Sequence, residues 1–179
     1  MNTIIIFGDE DDNEIYMLLK KYFYANCIAI SKFELYLSKH PEILLIEKSS
    51  LFDIVANNAI IIFKNTCKVN HIHNFLSGFT AVFDSKNSDV KNFLLGRNIR
   101  AVSCGLGTSD TLNISGVELG AAVSLQRKLP TLSGEINLPH DIVVKNIGKL
   151  DEFSVMAFCA VKLLTGKTDG LNIDLKFFQ

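Results

Sequence analysis

Apolar residues follow two rhythms over the first hundred positions: short unbroken runs, and stretches in which they recur every three or four residues. "TIIIF" at 3–7 has no polar alternation, the pattern of a strand buried on both faces. Residues 12–24 instead place Ile15, Leu18, Leu19, Tyr22 and Phe23 on one side of a helix. Further strands are predicted at "CIAI" (27–30), "EILLIE" (42–47), "NAIIIF" (58–63), "TAVFD" (80–84) and "RAVSC" (100–104). A short helix is predicted over 32–38 and another in "DVKNFLLG" (89–96). Strands separated by helices predict an α/β fold, a mostly parallel sheet with helices on both faces.

After Gly107 the rhythm changes. "TLNISGVELGAAVSLQRKLPTLSGEINLPHDIVVK" (111–145) holds short apolar segments broken by Gly and Pro, which predicts an antiparallel hairpin extension. An amphipathic helix follows over 151–164, with Phe153, Met156, Ala157, Ala160, Val161 and Leu164 inward. The alternating tail "LNIDLKFF" predicts an edge strand. At 179 residues, without a linker or a repeat, the chain reads as one domain: a parallel part to residue 106 and an extension over 107–179.

Composition narrows the function classes. An apolar share of 48% is enough for a packed core, which sets disorder aside. A net charge of −1 gives no electrostatic reason for a nucleic-acid partner. No apolar run approaches the roughly 20 residues of a membrane span, and no basic segment precedes the first strand as in a secretory leader. Cys27, Cys104 and Cys159 sit in apolar stretches as small hydrophobes, and no C-x-x-C pair is present. A reduced, cytoplasmic protein is expected.

The chemistry concentrates where the first strand meets the first helix. A phosphate-binding loop would read G-x-x-x-x-G-K-[ST] there. Gly8 holds the first glycine position, but Asn13, Glu14 and Ile15 hold the other three. Asp9, Glu10, Asp11, Asp12 and Glu14 make the segment densely acidic, and a carboxylate at the lysine position repels the β- and γ-phosphates. Asp11 with Glu14 fits a capping box instead. A calcium loop is not matched, since its glycine and closing glutamate are missing. Cys67, His71 and His73 match no zinc spacing. Gly105 and Gly107 lack the third glycine and the helix of a dinucleotide site.

Several segments, taken in order, resemble the ATPase domain of the Mur ligase superfamily, the ATP-dependent ligases of peptidoglycan synthesis and their folylpolyglutamate synthase relatives. "LLIEKSSLFDI" resembles the E-[VA]-S-S segment, whose strand-end glutamate helps hold magnesium. "AIIIFKNTCKVNHIHNF" resembles T-N-x-x-x-D-H-x-D, with Asn65 and His71 on its Asn and His. "TAVFDSKNSDVKNFLLGRNIRAVSCGL" resembles A-V-x-N-x-D-D, a helix, then V-x-x-[FY]-G. "LNISGVELGAAVSLQR" and "VVKNIGKLDEFSVMAFCAVKLLTG" resemble the closing hairpins and helix. The departures fall on the chemistry. Glu14 stands for the phosphate-loop lysine, Lys64 for a threonine, Asn70 for an acid and Asp84 for an asparagine. The segment from His71 to Asp84 has no lysine, where active ligases carry a carbamylated one, and the family's substrate and C-terminal domains are not expected in this chain.

The resemblance thus implies ancestry and fold, and a catalytically inactive domain serving as a ligand-binding or regulatory module near cell-wall precursor metabolism. Open α/β sheets place ligands at the carboxyl ends of their strands. That rule points to Glu47 and Asn65, and the loop positions and the resemblance add Gly8, Asn13, Ser49, His71 and Asp84 as candidate binding residues. No catalytic residue and no metal site is expected, Glu47 and His71 being the only candidate ligands. No cofactor is expected, Mg-ATP included. The partner would be a small anionic ligand or a protein, including a second copy joined through an edge strand. The alternatives are a small metal- or anion-dependent hydrolase or transferase using Glu47 and His71, and an accessory subunit of a split ATP-dependent amide ligase.

Overall fold

The structure, a computed structural model, describes residues 1–54, 58–75, 78–117, 120–167 and 172–175. The chain divides into two compact units, Met1–Ala101 and Val102–Gln179.

In the first unit β1 (Asn2–Phe7) leads into α1 (Glu14–Tyr22). There follow β2 (Cys27–Ile30), β3 (Leu35–Leu37), β4 (Ile43–Lys48), β5 (Leu51–Ile54) and β6 (Ala59–Phe63). β7 (Ile72–Phe75), β8 (Phe79–Asp84) and α2 (Ser88–Leu94) complete it. The strands run in the order β3-β2-β4-β1-β6-β8. All pairs along that order are parallel except β2–β3. The mostly parallel α/β sheet expected from the apolar runs is present.

Packing explains the runs. Alternate residues Ile5 and Phe7, Ile61 and Phe63, and Ala81 and Phe83 form one buried cluster with Val90 and Leu94 of α2. The intervening Ile4, Ile6, Ile60 and Ile62 are fully buried as well. A strand covered on both faces has no polar phase, and each such side chain contributes about 1.5–3 kcal/mol. α2 starts where Asn87 accepts the Val90 amide at 3.1 Å.

Two elements differ from expectation. Residues 35–37 form strand β3, antiparallel to β2, in place of the helix predicted over 32–38. The real period is two: Phe33, Leu35 and Leu37 are exposed while Glu34 and Tyr36 are half-buried, an inverted pattern on an edge strand. β5 and β7, unpredicted, pair in parallel as a separate two-stranded ladder.

The second unit contains β9 (Arg100–Gly105), within which the boundary falls, then β10 (Leu112–Val117) and β11 (Gly120–Leu125). β12 (Leu129–Pro130), β13 (Ile136–Asn137), β14 (His140–Lys145), α3 (Glu152–Thr165) and β15 (Asn172–Asp174) follow. The order is β9-β10-β11-β14-β15, with the expected antiparallel pairs at β10–β11 and β11–β14. β15 lies within the predicted tail strand and pairs in parallel with β14; residues 171 and 176–178 of that prediction lie outside the described residues.

α3 begins where Asp151 accepts the Ser154 amide and ends at Gly166 with φ 69°, a left-handed stop. It is not amphipathic. Every residue from Phe153 to Leu164 is buried, Ser154 and Lys162 included, so it presents no exposed apolar side for a partner. Burial holds the Cys159 thiol up at about 12. Arg127 donates to the carbonyls of Ser109 and Asp110. Among the described residues, no helix is long and apolar enough to cross a membrane.

Candidate functional site

β1 lies between β4 and β6, and the chain leaves it through α1 toward β2 before returning to β6 on its other side. The carboxyl ends of β4, β1 and β6 therefore meet where the strand order reverses, the usual place for a ligand crevice. Three predicted site residues reach this point: Gly8 after β1, Glu47 near the end of β4, and Asn65 just past β6. A fourth residue was missed, and it dominates. Lys64 follows the last residue of β6, and only 1% of its surface is exposed.

The Lys64 ammonium turns under the first loop. It donates to the Asp9 carbonyl at 2.7 Å, to the Glu47 Oε1 at 2.6 Å and to the carbonyl of Asp12. An ammonium has three protons, and these three bonds use them all. Glu47 comes from the strand on the other side of β1, fully buried, in register with Ile6. The ion pair thus bridges over the end of β1, closed from above by loop carbonyls. Burial pushes the Glu47 carboxyl above its ordinary value, the Lys64 ammonium pulls it back, and Glu10 and Asp12 push it up again.

The polarity of the loop is the reverse of a phosphate cradle. A phosphate loop turns its amides toward the ligand. Here two carbonyls converge on a cation, and several amides already have acceptors. Asp9 N donates to Thr66 Oγ1 at 3.1 Å, Asp11 N to the Asp9 carboxylate at 3.0 Å, and Asp12 N to the Asp9 carbonyl at 3.3 Å. Gly8 permits the approach. Its φ is +151°, and a Cβ there would lie 2.7 Å from the Cβ of Lys64.

The acids are also distributed differently from expectation. α1 starts at Glu14 with Asn13 as its N-cap, and no side-chain bond caps it. The capping box of Asp11 and Glu14 is not formed: the Asp11 carboxylate pairs with Lys32 at 3.1 Å. Glu10 turns inward, where Oε1 accepts both the amide and the hydroxyl of Ser49 at 3.1 Å. Ser49 therefore ties the loop after β4 to the first loop through Glu10. Glu47 Oε1 is committed to Lys64 rather than to the turn at Ser49 and Ser50.

On the far side of β6, Asn65 Nδ2 donates to Asp84 Oδ2 at 3.0 Å, and Asp84 Oδ1 accepts the Lys86 amide at 2.9 Å. These residues join the ends of β6 and β8, in a group separate from Lys64 and Glu47. The backbone of His71 lies in a short turn, Val69–His71; its side chain and that of His73 lie outside the described residues. Burial raises the Cys67 thiol to about 11, and Cys67 packs against the core cluster rather than standing ready as a thiolate. No group of three or more metal-ligating side chains occurs among the described residues.

One sequence signal could have found Lys64. A lysine directly after a wholly buried strand stands two residues past the level of Glu47, the next-to-last residue of the strand two places away. A charge at such a depth needs an opposite charge beside it.

No family model and no curated protein matches the chain. Among solved structures it is similar to a UDP-N-acetylmuramoyl-L-alanyl-D-glutamate–2,6-diaminopimelate ligase, at 8% identity and a TM-score of 0.47. The match covers 94% of this chain and 43% of that one, so the chain spans less than half the length of the ligase.

Proposed function

We propose that the chain is a non-catalytic binding or regulatory module on a Mur-ligase-like scaffold. Its nucleotide loop has closed on a cation of its own. The observation that carries this is the Lys64 ammonium, whose three donors are spent on Glu47 and the carbonyls of Asp9 and Asp12. Phosphoryl transfer is catalysed by positioning and by neutralising charge on the phosphates. A lysine in this loop could do so only with a free donor, and Lys64 has none. Glu47 Oε1 is held by that ammonium, so a divalent ion at Glu47 would have to use Oε2 beside the Lys64 charge. The same arrangement counts against the alternative of a metal-dependent hydrolase or transferase working through Glu47.

The link to peptidoglycan-precursor metabolism follows from the order of sequence motifs and from nothing in the geometry. An accessory subunit of a split ligase remains a reading of those motifs only. As for the ligand, a loop with inward carbonyls, a buried Glu10 and exposed Asp9, Asp11 and Asp12 favours a positive charge over a small anion.

Isothermal titration with Mg-ATP tests the proposal. No saturable heat is expected up to millimolar nucleotide. Micromolar binding that is lost with AMP would overturn it, because only a loop that releases Lys64 could engage β- and γ-phosphates.

A further inference from the structure

The ion pair leaves one atom unaccounted for. Glu47 Oε2 is buried and has no hydrogen-bond partner. A buried carboxylate oxygen without a donor costs free energy, so the atom calls for an N–H or O–H from outside the chain. Glu47 lines a pocket of about 240 Å3 between α1 and the β2–β3 connection, and its bond to Lys64 uses Oε1, the other oxygen.

We propose that this pocket binds a small organic ammonium whose N–H groups are received by Glu47 Oε2, Asn13 and Ser31. Asn13 forms no cap bond with its side chain, and the Ser31 hydroxyl, which accepts the Phe33 amide at 3.2 Å, keeps a second lone pair. Three acceptors suit the three protons of a primary ammonium. Phe33 and Met17, 63% and 50% exposed, supply apolar walls for a short methylene chain.

Charge selects the sign. Lys20 and Glu34 in the wall neutralise each other at 2.5 Å, and Tyr16 donates to Glu34 at 2.9 Å, so that pair is spent. Lys64 neutralises Glu47. Glu10 and Asp12, close enough to raise the Glu47 carboxyl, remain as excess negative charge. The start of α1 contributes a partial positive charge, opposed by Glu14 in its first turn. A bare metal ion suits the pocket poorly, since a hard cation needs six or more oxygens and Glu47 Oε2 is the one carboxylate oxygen without a partner among the lining residues. This ligand gives the binding module its chemistry and rests on that reading. Because the test contains no nucleotide, the two can fail separately.

The test is amide NMR of the full chain titrated with n-butylammonium chloride, with tetramethylammonium chloride at equal ionic strength as the control. Saturable shifts at Tyr16, Ser31 and Phe33 are expected with butylammonium and none with tetramethylammonium, which has no N–H to donate. Glu47→Gln is the direct variant, but it disturbs the Lys64 pair. Met17→Trp, at an exposed position, fills the pocket without touching that pair and should weaken binding at least tenfold. Absence of saturation, equal shifts from tetramethylammonium, or unchanged binding in Met17→Trp would each overturn the proposal. The last two outcomes would mean general attraction to the acidic loop.

Discussion

Lys64→Met should lower the thermal midpoint by on the order of 10 °C. Removing one partner of a buried ion pair costs about 3–5 kcal/mol, because the other charge stays buried without compensation. In a chain of this size each kcal/mol shifts the midpoint by about 2–4 °C. Three acceptors are orphaned together: Glu47 Oε1 and the carbonyls of Asp9 and Asp12. The double variant Lys64→Met with Glu47→Leu should recover much of the loss, since an apolar pair of similar volume replaces the two charges. A double variant less stable than Lys64→Met alone would show that the pair does not act as a unit.

The pH dependence gives a second readout of the same variant. Burial already raises the Glu47 carboxyl, and Lys64 is the group that pulls it down. Without Lys64 the folded-state value rises further. A carboxyl whose folded value lies above its unfolded one contributes stability below the unfolded value and loses it as pH rises through the folded one. The deficit of Lys64→Met against the parent chain should therefore be largest near about pH 8 and shrink toward about pH 4. Denaturant melts across that range would show it. A deficit independent of pH would place the damage in packing rather than charge.

Most of the sheet was legible because parallel strands buried on both faces read as unbroken apolar runs. β1, β6 and β8 are of this kind, with Ile4 to Phe7, Ala59 to Phe63 and Phe79 to Phe83 all buried. β3 was not legible, because Leu35 and Leu37 point outward on an edge while Phe33, Tyr36 and Leu37 also recur at helical spacing. β5 and β7 owe their pairing to partners some twenty residues apart, and a four-residue run such as "LFDI" carries no signal of that. α3 was read as amphipathic, although "FSVMAFCAVKLL" is apolar nearly all round, the mark of a helix covered on every side. At the site, Glu47 and Gly8 were found from their places at strand ends. Lys64 was seen only as a departure from a motif, since its meaning depends on Glu47 arriving from across β1. Sequence order shows which residue is substituted. It does not show that the substitute's charge has been absorbed by a neighbouring strand.

Gly8→Ala should cost about 2–5 kcal/mol, the other large effect, through close approach as well as dihedral strain. At φ +151° any side chain is disfavoured, which accounts for about 1–3 kcal/mol. The remainder comes from contact. The new methyl would lie 2.7 Å from Lys64 Cβ and 3.0 Å from Thr66 Oγ1. Cβ is the fixed end of Lys64, set by a backbone whose amide donates to the Phe7 carbonyl at 2.9 Å. It cannot swing aside as a flexible tip would, so relief must come from moving the loop off the ammonium. Gly96→Ala separates the two causes: its φ is +77°, but a Cβ there meets nothing within 4 Å, so it should lose about 1 kcal/mol from strain alone. Urea melts of the two variants give by difference the contact contribution plus the extra strain of φ +151° over φ +77°. In Lys64→Met the cost of Gly8→Ala should fall, because the bonds that the loop shift would break are already gone. If Gly8→Ala loses no more than Gly96→Ala, or is unchanged by Lys64→Met, the first loop is not held in place by the lysine beneath it.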